Sequence, residues 1–302
     1  MIDNLDLSRG LTTETINDLI EAQLAVWPEA RTNFFRLQEA ERKPLKLGDL
    51  DAAVQYNPAR IRSTGAKVDP KSVAARPCFL CAENRPKEQF AVGFGEGWQL
   101  LVNPFPILPV HFTVVSTEHR PQDEIPLEMA SMAEKAPDLA FFFNGARAGA
   151  SAPDHLHVQA VLSSELPLLR LAEKHHPASR GGFMKSEETG LDLPFSWISA
   201  VVTPDPEGML TLATIPTICG TDPETGKPDR GLVNAFFWMG REGLLRALVI
   251  PRRAHRPQCY PEMMISPGAI DMAGLLISPR KEDFDRLDAD TAAQIYADTG
   301  LK

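Results

Sequence analysis

Two histidines and a glutamine at alternate positions form the motif with the clearest chemical content in this chain of 302 residues. His155, His157 and Gln159 follow a run of small residues that includes Gly149 and Ser151. On a strand, alternate side chains face the same side, and a loop of small residues lets backbone N–H groups approach an anion. The pattern predicts a nucleophilic imidazole beside an oxyanion site. Two ordinary buried histidines on a strand are the alternative.

A second motif is the C-x-x-C unit of Cys78 and Cys81, which has half of the ligand spacing of a zinc site. A redox dithiol, a cysteine nucleophile and two plain cysteines in a tight loop are the other interpretations. The remaining cysteines, Cys219 and Cys259, are isolated in the sequence. Four cysteines in a chain of this length do not indicate a disulfide framework.

A basic segment precedes the cysteines, although the whole chain carries a net charge of −9. The overall charge argues against general nucleic-acid binding, so an anionic substrate needs a local cationic patch. Between Pro58 and Cys78 one acid, Asp69, stands against five bases: Arg60, Arg62, Lys67, Lys71 and Arg76. We predict an extended segment from Val54 to Thr64, in which Arg60 and Arg62 share a face. A solvated loop surface is the alternative.

The elements that must position these groups follow from hydrophobic periodicity. Residues 12–40 are predicted to be helical with an interruption at Pro28. Predicted strands cover 98–102, 111–116, 139–143 and 158–162, with a helix at 124–134. The pattern predicts an α+β fold with a mainly antiparallel sheet and helices on one face. We divide the chain into an N-terminal helical segment, 1–50, a catalytic half, 51–165, and a second half, 166–302.

A weak internal repeat suggests that the two halves are related and form a pseudo-dimer. The tetrapeptide His-Arg-Pro-Gln occurs at His119 and again at His255, each time after an apolar strand. The repeat sets the strand from Phe112 against the strand from Arg246. Further along it sets Asp271 against Asp154, so that Met272, Gly274 and Leu276 replace His155, His157 and Gln159. The second half would then keep the fold without the chemistry; a chance tetrapeptide is the alternative.

The H-x-H-x-Q motif resembles one branch of the histidine-triad (HIT-like) superfamily. That branch contains galactose-1-phosphate uridylyltransferases, dinucleoside polyphosphate phosphorylases and GDP-hexose phosphorylases. Three more segments match in the same order, namely residues 78–84 (CFLCAEN), 102–105 (VNPF) and Asn144-Gly145 upstream of Ser151. The whole chain looks closest to a little-characterised bacterial group near the GDP-hexose phosphorylases. The resemblance implies a HIT-like sheet with helices.

The resemblance also implies a role for each matching residue. His157 would attack the nucleotidyl phosphorus, and Gln159 would donate a hydrogen bond to the bound phosphate. Further phosphate, ribose or base contacts are implied for Ser151, Gly149, Asn144, Asn103, Arg60, Arg62 and Lys67. A turn asparagine is the alternative for Asn103. In the resembled families, glutamine at the position of Gln159 accompanies transfer to phosphate or a sugar phosphate rather than to water.

A structural zinc ion is implied as cofactor, with Cys78, Cys81, His119 and His155 as ligands. His111 is the reserve candidate for the position of His119. Such an ion would connect the C-x-x-C loop to the motif strand and so help to position His157.

We therefore expect a nucleotidyltransferase or phosphorylase that acts on a nucleoside diphosphate sugar, with GDP-hexose phosphorylase as the first choice. Dinucleoside polyphosphate phosphorylase is second; a hexose-1-phosphate uridylyltransferase, a HIT-type nucleotide hydrolase and a nucleotide-binding regulator are further alternatives. The uridylyltransferase match is weakened because Asp154 is extra and Leu156 replaces a proline. Neither a long apolar run nor a signal sequence is found, so we expect a cytoplasmic protein without membrane contact. The oligomeric state is left open.

Overall fold

The computed structural model describes residues 10–302, except for the side chains of Arg62 and Ser63. Helix α1 begins where Thr12 and Thr15 form a capping box, and Pro28 opens α2 at a position where its missing N–H costs nothing. The predicted helical region with its break at Pro28 is therefore confirmed. The described helices are α1 Thr13–Val26, α2 Pro28–Gln38, α3 Ile61–Thr64, α4 Pro70–Ala74, α5 Glu128–Lys135, α6 Pro167–His175, α7 Pro206–Thr214, α8 Ala269–Met272, α9 Lys281–Arg286 and α10 Ala289–Thr299.

Nine strands form one antiparallel sheet in the order β3-β4-β5-β7-β6-β12-β13-β9-β8. Its strands are β3 Val92–Gly93, β4 Trp98–Val102, β5 His111–Ser116, β6 Leu139–Asn144, β7 His157–Leu162, β8 Gly182–Lys185, β9 Ile198–Val202, β12 Val233–Met239 and β13 Leu245–Pro251. A smaller sheet contains β1 Arg42–Leu47, β2 Leu50–Tyr56 and β14 Leu275–Ser278, and a hairpin contains β10 Gly220–Thr221 and β11 Pro228–Asp229. The predicted α+β class with a mainly antiparallel sheet is confirmed.

The order of the strands is the same when it is followed outward from the β6–β12 junction in either direction. One side gives β6, β7, β5 and β4, and the other gives β12, β13, β9 and β8. All neighbouring pairs are antiparallel, so β7 and β13 run in opposite directions, as a two-fold axis at the junction requires. This order is what two related halves would produce, while their common origin stays a prediction.

The correspondence that the sequence repeat predicted is wrong in detail. It set the strand from Phe112, which is β5, against the strand from Arg246, which is β13. These strands run in the same direction and lie at different distances from the β6–β12 junction, so the two-fold axis does not relate them. Asp271, set against Asp154, lies in α8 rather than in a loop before a strand.

Helices cover both faces of the large sheet, and not one face as predicted. Strand β6 and nearly all of β12 and β13 are buried, because alternate side chains enter two different cores. Phe141, Phe143 and Phe237 pack with α1 and α5, whereas Phe142 and Phe236 pack with the three-stranded sheet, α6 and α10. Uninterrupted apolar runs, rather than alternating ones, are the sequence signal for this burial.

Both sheets cross the predicted divisions of the chain. The nine-stranded sheet joins the predicted halves through the β6–β12 pair, and the three-stranded sheet takes one strand from each of the three segments. The division at residues 50 and 165 stays a prediction. Between residues 10 and 302, no helix combines the length and the apolar character needed to cross a lipid bilayer. The cytoplasmic location also stays a prediction.

The basic segment differs from its predicted extended form. Strand β2 ends at Tyr56, and a 3-10 turn at Pro58–Arg60 leads into α3. Proline at the first position of the turn explains the change, because it favours helical φ and cannot donate to a strand neighbour. Arg60 and Arg62 therefore do not share the face of a strand, and the side chain of Arg62 lies outside the described part.

Candidate active site and metal cluster

The loop of residues 145–156 joins β6 to β7 and organises the candidate site. Its start is held by the second half, where the carbonyl oxygen of Val233 accepts a hydrogen bond from the N–H of Gly145. Gly149 has a φ of +100°, and a Cβ there would lie 2.6 Å from the Cα of Gly268. Only glycine fits this close approach without displacing the neighbouring backbone. The predicted small-residue loop is therefore packed tightly against residues that follow β13.

His157 is the first residue of β7 and lines a cavity of about 680 Å³. Its side chain is only 4% exposed, and burial lowers its pKa to about 4. Nδ1 lies 2.8 Å from the carbonyl oxygen of His155, which assigns the proton to Nδ1. The lone pair is then on Nε2, the nitrogen required for attack on phosphorus.

Gln122 holds the backbone of His157 from both sides. Its Oε1 accepts from the N–H of His157 at 2.9 Å, and its Nε2 donates to the carbonyl oxygens of His157 and Asn144 at 2.8 and 2.9 Å. The Gln122 side chain is fully buried. This role of Gln122 was not predicted from the sequence, where its place in the repeated His-Arg-Pro-Gln tetrapeptide was the available signal.

A buried histidine orients Gln159 toward the cavity. The N–H of Ile107 donates to Nδ1 of His111 at 3.1 Å, so the proton of the neutral ring lies on Nε2. That Nε2 donates to Oε1 of Gln159 at 2.8 Å. Burial and the charge of Arg60 lower the pKa of His111 to about 3, which keeps the ring neutral. The amide oxygen of Gln159 is thereby engaged, and its NH₂ group is the part that can serve a ligand.

Hydrogen-bond donors without a protein acceptor lie in the middle of the described loop. Ala150 is 1% exposed, yet among the residues described no protein atom accepts a hydrogen bond from its N–H or from the N–H and hydroxyl of Ser151. Buried N–H groups are rarely left without an acceptor. Ser151 also lines the large cavity together with His157 and Gln159. The arrangement suits the oxygens of a bound phosphate.

The two predicted asparagines have structural partners as well as a position at the site. The Oδ1 of Asn144 accepts from Asn234 at 3.0 Å and from the N–H of Ala269 at 2.7 Å, both from the second half. The Oδ1 of Asn103 accepts from the N–H of Phe105, which is the turn contact of the alternative interpretation. Asn103 nevertheless lines the large cavity, and Asn144 lines a smaller neighbouring one.

Three cations line the large cavity: Arg60, Lys67 and Arg76. Burial lowers the pKa of Arg60 to about 10, so its guanidinium stays charged at neutral pH. Arg76 forms an ion pair of 2.8 Å with Asp154, the extra acid before the motif. Asp154 therefore positions an arginine.

The large cavity is lined by both polar and apolar side chains. His157, Gln159 and Ser151 are among the polar ones, and the apolar ones include Trp27, Phe79, Pro104 and Phe105. Phe79 is 47% exposed and lies between the two cysteines of the C-x-x-C unit. Polar and cationic side chains suit the phosphates of a nucleotide, and aromatic side chains suit its base.

The predicted metal ligands come together in one cluster. Single ligand atoms of Cys78, Cys81, His119 and His155 all lie within 4.8 Å of one another. The Sγ of Cys78 lies 3.3 Å from Nδ1 of His155, and the Sγ of Cys81 lies 3.2 Å from Nδ1 of His119. Strand β7 starts at His157, so His155 precedes the strand and turns away to the cluster. The reserve candidate, His111, is instead bonded to Gln159.

The cluster fits a tetrahedral metal ion. Zinc–ligand lengths of about 2.3 Å to sulfur and 2.0–2.1 Å to nitrogen imply sulfur–nitrogen separations of about 3.6 Å. The Nε2 of His155 lies 2.8 Å from the carbonyl oxygen of Ser116 and donates to it, which leaves Nδ1 for the ion. Burial and the neighbouring Cys78 raise the pKa of Cys81.

Comparison with known proteins agrees with this fold. A family model described as a domain of unknown function (DUF4922) matches residues 19–162. No curated protein matches the sequence. The crystal structure of yeast Ap4A phosphorylase Apa2 in complex with Ap4A is similar, with a TM-score of 0.60, 16% identity, and coverage of 96% of this chain and 98% of that chain. The crystal structure of the same enzyme without a named ligand has a TM-score of 0.55 at 16% identity, with coverage of 90% of this chain and 96% of that chain. Its complex with AMP has a TM-score of 0.54 at 15% identity, with coverage of 92% of this chain and 96% of that chain.

Proposed function

We propose that this protein is a nucleotidyltransferase of the phosphorylase type that works through a nucleotide covalently bound to His157. The observation that carries the proposal is the environment of His157. Its Nδ1 is engaged by a carbonyl oxygen, while the ring lines a cavity beside Gln159 and Ser151. Within the described part of the chain, the donors of Ala150 and Ser151 have no protein acceptor. A nucleophile and charge-stabilising donors are the two components that transfer at phosphorus needs.

The reaction takes two displacements. In the first, Nε2 of His157 attacks the α-phosphorus of the donor, a P–N bond forms, and the bond to the bridging oxygen breaks to release a phosphorylated product. In the second, an oxygen of the acceptor phosphate attacks the same phosphorus, and the electron pair of the P–N bond returns to Nε2. The NH₂ group of Gln159 and the donors at Ala150 and Ser151 hold the oxygens of the transferred phosphate during both steps.

We propose two chemical classes of nucleotidyl donor. A nucleoside diphosphate sugar, GDP-hexose first, follows from the motif resemblance described above. A dinucleoside polyphosphate is supported by the fold, since a similar solved structure is an Ap4A phosphorylase with bound Ap4A. In both cases the aromatic side chains of the large cavity take the base, with Asn103 near the base or ribose. Arg60, Arg62 and Lys67 provide charge for the phosphates.

The Cys₂His₂ cluster is proposed to bind a structural zinc ion. The spacing of its ligand atoms and the tautomer of His155 support a closed tetrahedral site. An ion there would fix His155, whose carbonyl oxygen accepts from Nδ1 of His157. It would also fix the loop that presents Phe79 to the cavity. The chemical steps are carried out by other groups.

The test is the intact mass of the full chain after mixing with GDP-, UDP- and ADP-glucose and with Ap4A, each in the absence of phosphate. We expect a gain of one nucleotide with at least one donor, and its loss after addition of inorganic phosphate. The identity of the productive donor selects between the two donor classes. A dependence of turnover on phosphate separates a phosphorylase from a hydrolase.

Two variants serve as controls for this test. His157→Ala should show no mass gain with any donor. Gln159→Glu keeps the shape but replaces the NH₂ donor by a carboxylate oxygen, so it should form the adduct at least about 10²-fold more slowly. The proposal fails if wild-type protein gains no nucleotide from any of these donors, or if His157→Ala is labelled like wild type.

A further inference from the structure

A second, smaller cavity adjoins the site, and the mechanism above assigns no ligand of its own to it. Its volume is about 60 Å³, and it shares Arg60, Ala66, Ser151 and Gln159 with the wall of the large cavity. A single water molecule needs about 10–15 Å³ of such cavity volume. The space is therefore enough for about four waters, or for one tetrahedral oxyanion.

Arg256, from the segment that follows β13, forms part of the wall of this small cavity. Its Nη2 donates to the carbonyl oxygen of Ala66 at 2.9 Å, and its guanidinium stacks on the ring of Tyr260 at 4.0 Å. Within residues 10–302 as described, no carboxylate forms an ion pair with Arg256 and no protein atom accepts from its Nη1. The side chain is held in place by neutral groups and keeps its charge for a ligand.

The charges around the small cavity favour an anion. Arg60 and Arg256 line it, and Arg252 is fully buried nearby, where it donates to Oδ1 of Asn234 at 2.6 Å. Asp271 is the one acidic side chain among the described lining residues. Both of its oxygens already accept backbone N–H groups, at 2.8 and 2.9 Å. The cationic charge therefore exceeds the anionic charge.

The geometry of two displacements at one phosphorus requires such a subsite. A nucleophile enters opposite the group that leaves, so both the leaving group and the later acceptor lie on the side of the phosphorus away from His157. The small cavity meets the large one at Ser151 and Gln159, and His157 does not line it. A ligand in the small cavity would therefore approach the bound phosphate from beside Ser151 and Gln159 rather than from beside His157.

We infer that the small cavity binds a phosphate dianion, which is the acceptor in the second displacement, and that Arg256 contacts it directly. This inference rests on the proposed function. An oxygen of the dianion attacks the nucleotidyl phosphorus, the P–N bond to His157 breaks, and the product is a nucleoside diphosphate. The terminal phosphate of the leaving group occupies the same place in the first displacement.

His255 acts beside Arg256 as a positioning residue. The N–H of Gly149 points to Nδ1 of His255 at 3.4 Å, so the ring supports the phosphate-binding loop from the second half. Burial lowers the pKa of His255 to about 4, which keeps it neutral. The second half thus supplies both a cation for the acceptor and a support for the loop.

The first test is direct binding of inorganic phosphate to the nucleotide-free full chain, by calorimetry at constant ionic strength. Arg256→Gln should raise the Kd for phosphate at least about tenfold, and Arg256→Lys should raise it less, because the charge remains without the planar fork. Arg253→Gln is the matched control, since Arg253 is exposed and lines neither cavity; it should bind phosphate like wild type. Circular dichroism and thermal unfolding check that each variant folds.

The second test uses the nucleotide-loaded enzyme, freed of donor. Release of the nucleotide should saturate with inorganic phosphate, and Arg256→Gln should raise the half-saturating concentration at least about tenfold. Glucose 1-phosphate in place of phosphate separates a free acceptor from one carried on a sugar. The inference is overturned if wild type does not bind phosphate, or if Arg256→Gln and Arg253→Gln behave alike in either measurement. If loading itself fails, the proposed function fails and the calorimetry still decides on the subsite.

Discussion

The two strand sets on either side of the β6–β12 junction have the same order, with equivalent strands running in opposite directions, but within residues 10–302 only one set has a candidate active site. Residues 145–156 connect β6 to β7, and they include Gly149, Ala150 and Ser151. The equivalent connection, between β12 and β13, has only residues 240–244 and forms a tight turn with Gly243 at a φ of +76°. The chemistry therefore depends on the connection between two strands, and the strands alone do not create it.

The set without a site contributes to the other one across the junction. Because β12 is antiparallel to β6, the start of β12 and the end of β13 lie beside Asn144. Asn234 bonds to Asn144, and Arg252 bonds to Asn234. The second half thus forms part of the surroundings of the candidate active site in the first half. Substitutions at the candidate site should therefore change activity, whereas substitutions of second-half residues that line neither cavity should change stability.

The largest difference in turnover is expected between substitutions of two buried histidines, His157 and His176. His157→Ala removes the proposed nucleophile and should lower turnover at least about 10³-fold. His176 lies in the second half, lines neither cavity and shares a hydrogen bond of 2.7 Å with Ser199. His176→Ala should keep turnover within about threefold of wild type and lower the free energy of unfolding by about 1–3 kcal/mol. Steady-state kinetics and denaturant unfolding measure both; equal losses of turnover would contradict the assignment.

A difference of intermediate size, in zinc content and thermal stability, is expected between substitutions of cysteines in the two halves. Cys81→Ala should remove about one equivalent of zinc per chain and lower the midpoint of thermal unfolding by at least about 10 °C, because a structural ion contributes to folding. Cys219, a free cysteine of the second half, lies outside the cluster. Cys219→Ala should retain the zinc ion and the wild-type midpoint of thermal unfolding. Metal analysis together with calorimetry tests this, and purified wild type that binds no zinc would refute the metal assignment.

The smallest difference is expected in the pH dependence of stability, where two carboxyl groups act in opposite directions. Burial raises the pKa of Asp271 from 3.8 to about 6, so the folded state binds this proton more tightly than the unfolded state. Its contribution to stability therefore falls by up to about 3 kcal/mol as the pH rises from 3.8 to 6. Hydrogen bonds from Arg147 lower the pKa of Asp222 to about 2. Its contribution is present above pH 3.8 and is lost as the pH falls toward 2.

Chemical denaturation of wild type, Asp271→Asn and Asp222→Asn between pH 2.5 and 7 separates these contributions, with about 0.5 pH steps being sufficient. Relative to wild type, Asp271→Asn should make the rise of stability with pH steeper between pH 4 and 6. Asp222→Asn should make it shallower below pH 4. Parallel curves for all three proteins would contradict both assigned pKa shifts.

Much of the fold could be predicted from local patterns. Periodicity located the N-terminal helices, the strands at 98–102 and 111–116 and the β6 and β7 strands, because these signals are carried by residues a few positions apart. The family resemblance also implied the cluster of Cys78, Cys81, His119 and His155, whose ligand atoms the structure brings together. The partners of the key side chains could not be predicted in this way. Gln122 and Arg256 belong to the repeated tetrapeptide and His111 begins β5, but nothing near them in sequence indicates what they contact.

The sequence by itself determined which residues can do chemistry: a pair of alternating histidines, a glutamine, a small-residue loop and a C-x-x-C unit. Only the tertiary structure decided what each can act on. Antiparallel pairing of β6 with β12 brings Asn234 to Asn144, and the segment after β13 brings Arg256 to the small cavity. These contacts join residues about 90–200 positions apart. Their geometry follows from packing of the whole chain rather than from any local preference.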